Sequence, residues 1–154
     1  MTQEEYKEEA RRLRPALLLK ARQYLDEDDA EDTVQDVLLR LWQMVDELRM
    51  PIDALALVLT RNLCIDKQRR RHPTLTLTDQ ADEADSGNDE RIERVMGIIN
   101  RLPSAQQTIL RLRHMEGMEM KEIAELTGSS EVAIRKTLSR ARMAIKQQYT
   151  KRYD

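Results

Sequence analysis

The chain has 154 residues, 35% of them charged and 40% hydrophobic, with a formal net charge of −2. Four Gly and four Pro are too few for a turn-rich β-sandwich, and without Phe any core is built from Leu, Ile, Val, Met and Ala. The near-neutral sum excludes a uniformly basic nucleic-acid coat, and the lone Cys64 excludes an internal disulfide.

From Thr2 to about Leu25 the apolar spacing is helical. Pro15 fits the first turn of a helix, so a break or kink is expected just before it, with Leu17, Leu18, Ala21 and Leu25 beyond. Asp28 and Glu31 form a capping pair for a helix over 29–48, whose buried stripe is Val34, Val37, Leu38, Leu41 and Val45. Pro51 starts a third helix. Its apolar part, 52–65, is too continuous to face much water, and it ends in the polar run DKQRRR. Cys64 lies in that apolar run and reads as a small buried hydrophobe.

The composition then changes. Residues 72–90 are rich in Thr and Asp and lack helical periodicity, and the alternating TLTLT has no second strand to pair with. A flexible linker over 73–90 is expected, separating a domain over 1–72 from one over 91–154. Ile92, Val95, Met96 and Ile99 mark a fourth helix stopped by Pro103. Ser104 and Gln107 read as a capping box for a fifth, whose apolar face holds Ile109, Leu110, Leu112 and Met115 and which Gly117 closes.

The last segment, MEMKEIAELTGSSEVAIRKTLSRARMAIK, reads as two helices around a tight turn. Ile123 and Leu126 give the first its apolar contacts, and the small Ala124 admits a neighbouring helix. Gly128 sits where the chain needs positive φ, and Ser129 or Ser130 caps the second helix, with Glu131 in its first turn. Ile134, Leu138, Ala141 and Ile145 form one buried stripe, leaving Arg135, Lys136, Ser139, Arg140 and Arg142 on the other faces. A helix-turn-helix of this kind places its second helix in the DNA major groove. A helical hairpin with a solvated basic face shares the pattern.

Charge is segregated along the chain. Residues 135–152 hold seven Lys or Arg and no acid, whereas residues 79–93 hold seven acids and one Arg. The tail over 147–154 is expected to fray. Neither His72 nor His114 has a partner at metal-ligand spacing, so no metal site or cofactor is expected. No carboxylate pair, activated nucleophile or phosphate-binding glycine loop points to an enzyme. The polar amino terminus and the absence of a membrane-length apolar run predict a soluble cytoplasmic chain.

Three stretches together resemble one family. AEDTVQDVLLRLW (30–42), TRNLCIDKQRRR (60–71) and the run 101–146 with its LSRAR signature at 138–142 are similar to the extracytoplasmic-function sigma factors of bacterial RNA polymerase. The resemblance implies an all-α fold of two small helical domains joined by a flexible linker, the second a helix-turn-helix DNA-binding domain. It implies that the chain guides core RNA polymerase to promoters without catalysis of its own. Asp32, Gln35, Asp36 and Leu39 would then dock on the polymerase. Arg61, Asn62, Asp66, Lys67, Arg69, Arg70 and Arg71 would bind and melt the −10 element, with Asn62 and the loop 49–53 holding a flipped base. Ser130, Glu131, Arg135, Lys136, Ser139, Arg140 and Arg142 would bind the −35 element. A regulatory partner, an anti-sigma factor, is also implied. Where the family commonly has Trp-Leu early in the third helix, this chain has Leu55-Ala56, so aromatic stacking is expected to add little to melting. Two other readings use less of the chain: a helix-turn-helix regulator that is not a sigma factor, and a helical adaptor that binds only protein.

Overall fold

A computed structural model describes residues 1–71 and 86–153, with backbone alone at 71 and 86–89, and all its regular elements among these residues are helices. They form two compact units. One is built on α1 (Gln3–Arg22), α2 (Glu27–Gln43) and α3 (Asp53–Arg71), the other on α4 (Ser86–Ile99), α5 (Ser104–His114), α6 (Met120–Thr127) and α7 (Glu131–Tyr153). The all-helical, two-domain expectation holds. Most of the expected linker, TLTLT included, lies outside the described residues, but its last part is helical: α4 starts at Ser86. Apolar periodicity begins only at Ile92, so the polar first turn carries no sequence signal.

In the first unit α1, α2 and α3 pack pairwise on one another. Helix α1 opens with a capping box, in which the Thr2 hydroxyl accepts from the Glu5 N–H at 3.1 Å and the Glu5 carboxylate accepts from the Thr2 N–H at 2.8 Å. It then runs unbroken through Pro15, against the expected break. Pro15 is exposed, while Leu13 and Leu17 on either side of it are buried. Their burial, about 1.5–3 kcal/mol each, outweighs the roughly 3 kcal/mol that an interior proline costs. Helix α2 begins earlier than expected, because Asp26 rather than Asp28 caps it, its carboxylate accepting from the Asp29 N–H at 3.0 Å. It ends at Gln43, and a 3₁₀ turn, Val45–Glu47, leads on toward α3. Val34, Val37, Leu41, Leu48, Ile52, Leu55, Ala56 and Cys64 fill the core with the α1 residues Leu17 and Ala21. Burial raises the Cys64 thiol pKa, opposed by the Lys67 charge, which keeps it an inert core group.

In the second unit α7 packs on α4 and α5. The cap of α5 is Pro103 and no side chain caps it, so Ser104 is its first helical residue and not the start of a capping box. Gln107 is instead buried, its side-chain oxygen accepting from Arg111 Nε at 3.2 Å. Met115, expected in the core, is exposed just past the end of α5, and Gly117 turns the chain at φ +69. The carboxy-terminal tail does not fray. Helix α7 continues to Tyr153, whose ring packs at a tilt against Tyr149 at 5.1 Å and lies 4.9 Å beneath the Arg94 guanidinium of α4. A cation–π contact of this kind contributes about 0.5–1 kcal/mol at an exposed site.

Candidate nucleic-acid interface

Gly128 ends α6 at φ +70, a conformation that strains any side chain. Ser130 Oγ then accepts from the Ala133 N–H at 3.1 Å, so Ser130 rather than Ser129 makes this capping bond. Burial of Ile134, Leu138 and Ala141 sets the rotation of α7 about its axis. Arg135, Lys136, Ser139, Arg140 and Arg142 are thereby exposed, with Ser130 and Glu131 exposed at the helix start. Every residue expected to meet the −35 element is therefore open to solvent in this one segment.

Two of these cations have protein partners. Arg135 lies 3.8 Å from Glu131, an exposed pair one turn apart. Such pairs are worth about 0.3–0.5 kcal/mol, little enough for a base edge or phosphate to displace. Arg142 Nη2 is 2.9 Å from Nε2 of His114 at the end of α5. Burial first, and then the charges of Arg142 and Arg113, hold the His114 pKa below its ordinary value. The neutral ring thus accepts from the guanidinium. Arg113 braces the turn before α6 by donating from Nη1 to the Met118 carbonyl at 2.9 Å. Sequence reasoning had no route to His114, because 28 residues separate it from Arg142.

In the first unit Asp32, Gln35 and Asp36 are exposed along α2, and Leu39 one turn on is 53% exposed. Asp36 accepts from Arg40 Nε at 3.1 Å. On α3, Arg61, Arg69 and Arg70 are exposed, while Asn62, Asp66 and Lys67 are half-buried. The Asn62 side-chain oxygen accepts from Arg61 Nη1 at 3.4 Å. Gln68, between the basic residues, donates to the Tyr24 carbonyl at 2.8 Å and ties the basic end of α3 to the chain just after α1. The Arg71 side chain lies outside the described residues. The two groups of expected contacts are neighbours: Asp36 and Arg40 of α2 share a cleft of about 60 Å³ with Asp66, Lys67 and Arg70 of α3. Leu55 and Ala56, at the departure from the expected Trp-Leu pair, are core residues 1% and 0% exposed, so neither presents a surface for stacking on bases.

Among the described residues no group of His, Cys, Asp and Glu is placed to hold a metal ion, and no helix is long and apolar enough to cross a membrane.

The family model for sigma-70 region 2 matches residues 10–74, and that for sigma-70 region 4 matches residues 92–145. The chain is 31% identical over 140 residues to a Xanthomonas campestris protein named "Probable RNA polymerase sigma factor RfaY". That match takes in 81% of this chain but only 35% of the relative, so the chain spans about a third of that protein's length. Similarity to the RNA polymerase sigma-E factors of Streptomyces coelicolor and Streptomyces avermitilis, at 28% and 29% identity, covers 96% of this chain and 88% and 87% of those proteins. Among solved structures, the Bartonella quintana sigma factor RpoE, crystallised with the anti-sigma factor NepR, is 24% identical. It aligns over 97% of this chain and 99% of its own, with a TM-score of 0.42.

Proposed function

Because the chain belongs to the sigma-70 family, in its extracytoplasmic-function group, we propose that it directs core RNA polymerase to specific promoters and opens them. The observation that carries this reading is the pairing of regions 2 and 4 in one chain with a contact face exposed on each. A regulator that only binds DNA has no need of the acidic α2 face, and an adaptor that binds only protein has no need of the cationic α7 face.

Residues 91–154 form the −35-binding domain. Helix α7 enters the major groove with Arg135, Lys136 and Arg140 toward base edges, Ser130, Glu131 and Ser139 beside them, and Arg142 toward phosphate. Residues 1–72 form the polymerase and −10 domain. Asp32, Gln35, Asp36 and Leu39 dock on the core enzyme. Lys67, Arg69, Arg70 and Arg71 hold phosphates, while Arg61, Asn62 and Asp66 face the strand as it opens. Asn62 and the loop 49–53 hold one flipped base, whose extrusion costs a few kcal/mol. The protein performs no chemistry and needs no cofactor; the polymerase makes the bonds. It works in the cytoplasm, on chromosomal promoters, and is held in check by an anti-sigma factor.

Transcription from a promoter library with purified core polymerase, with and without this chain, tests the reading. Promoter-selective transcripts are expected with the chain present. Gln35→Ala with Asp36→Arg is expected to weaken binding to core enzyme without unfolding the domain, since both side chains are exposed. Transcripts that do not depend on the chain would remove the proposal.

A further inference from the structure

Val132, the second residue of α7, is an apolar side chain left 64% exposed among polar ones. Successive residues of a helix turn by about 100°. Val132 therefore lies roughly 160° round the axis from Ile134 and roughly 180° from Ala141, on the side opposite the buried stripe. Lys136 and Ser139, both exposed, continue its row at i+4 and i+7. Glu131 and Arg135, 3.8 Å apart, flank it. A valine thus stands in the middle of the face that the proposed function turns toward base edges.

The fold gives no reason for a valine here. It fills no core, and alanine would favour the helix more. A lone exposed valine elsewhere on the surface would carry no message. This one is in the first turn, and the amino-terminal end of a recognition helix is the part that reaches base edges. Met143, 58% exposed on the same row, lies about 16 Å farther along the axis, away from that end. One valine among Glu131, Arg135 and Lys136 is also too small an apolar patch to hold a protein partner.

Among the groups that base pairs present in the major groove, only the C5-methyl of thymine is apolar. We propose that Val132 is a specificity-determining residue of the −35 contact, its methyl groups packing against that of one thymine. The contact removes both apolar surfaces from water. Cytosine at the same place would set an amino group against the valine and leave that donor unpaired. The neighbouring cations hold phosphates and acceptor edges and cannot register a methyl group, so Val132 supplies a discrimination that they lack. This role rests on the proposed function, in which α7 enters the major groove.

The test uses holoenzyme assembled from the full chain, bound to a promoter selected from the library. Each thymine of the −35 element, on either strand, is replaced in turn by deoxyuridine, which pairs as thymine does but lacks the methyl. At one position the loss is expected to lower affinity about three- to fivefold, the effect of one buried methyl. Val132→Ala should weaken binding to the intact promoter by the same factor and lose nothing further at that deoxyuridine. Val132→Ile, which keeps the apolar contact, should retain the wild-type discrimination. Because the side chain is exposed, neither variant opens a cavity or overfills the core. The assignment is overturned if selected promoters carry no thymine in the −35 element, or if no single methyl matters. It is overturned as well if Val132→Ala still loses the same factor at the deoxyuridine, since another residue then reads that methyl. Any of these outcomes alongside promoter-selective transcription removes the role of Val132 alone. Absence of promoter-selective transcription removes the functional reading, and this role with it.

Discussion

The Arg142 guanidinium of α7 lies 2.9 Å from Nε2 of His114 at the end of α5, a contact that requires a neutral imidazole. Burial, then Arg142 and Arg113, depress the folded-state pKa of that ring. The unfolded chain takes up its proton near about pH 6.5, and the folded domain only at lower pH. Between those values the unfolded state binds more protons, so stability falls as pH drops and levels off below the folded value. His114→Gln, which can accept from Arg142 without titrating, is expected to lack this component. Thermal melting of both proteins between about pH 8 and about pH 5 checks it, and parallel curves would show that the contact does not form.

Arg111 is buried on α5, donating to Gln107 at 3.2 Å and to the Asn100 side chain at 2.6 Å. Its fork bonds one turn back along α5 to Gln107 and reaches Asn100, just past the end of α4, which it ties to α5. Hydrogen bonds to a charged group contribute about 1.5–3 kcal/mol. Arg111→Ala is expected to lose at least that, and Arg111→Lys nearly as much, because an ammonium cannot span both acceptors. Denaturant melts of the full chain read the loss, and an unchanged midpoint in Arg111→Lys would show that charge alone suffices.

On α7 two kinds of cation are expected to behave differently. Alanine at Arg135, Lys136 or Arg140 should each cost about 1–3 kcal/mol and relax preference at one −35 position. Alanine at Arg142 or Lys146 should weaken binding evenly across sequences and flatten the salt dependence by about one unit per lost phosphate contact. Holoenzyme binding to cognate and scrambled promoters across a salt series separates the two. The assignment is falsified if all five variants lose affinity equally on both DNAs.

Asn62 is half-buried on α3 beside Arg61. Asn62→Ala is expected to block transcription from duplex promoters and to recover on promoters with a pre-opened bubble, where unpairing is already done. Full activity on intact duplex would return Asn62 to the role of an ordinary helix residue. Leu55→Trp is not expected to strengthen melting. Leu55 is 1% exposed, and overpacking it should cost about 1–3 kcal/mol of stability in a thermal melt.

Helix existence was legible wherever one face is buried along a whole element. The stripe Val34, Val37 and Leu41 of α2, and Ile134, Leu138 and Ala141 of α7, are read in sequence and buried in the fold. Gly128 was legible too, since positive φ leaves few alternatives. Element ends were not. Asp26, Asp28 and Ser104 all have cap chemistry, and only packing decides which of them lies at the break. The exposure of the candidate residues of α7 was legible because a helix with one buried stripe has its other faces determined by geometry alone.

From the chain's order of residues alone came the all-helical class, the two units, the helix-turn-helix and the family resemblance, because periodicity and turn chemistry are local. What tertiary structure decided is non-local. It carried α1 through Pro15 by burying Leu13 and Leu17, and held the tail of α7 against Arg94. It set His114 beside Arg142 and drew the Asp36 and Arg70 side chains into one cleft. Each joins residues remote in sequence, and the contacts between them form only when the helices pack.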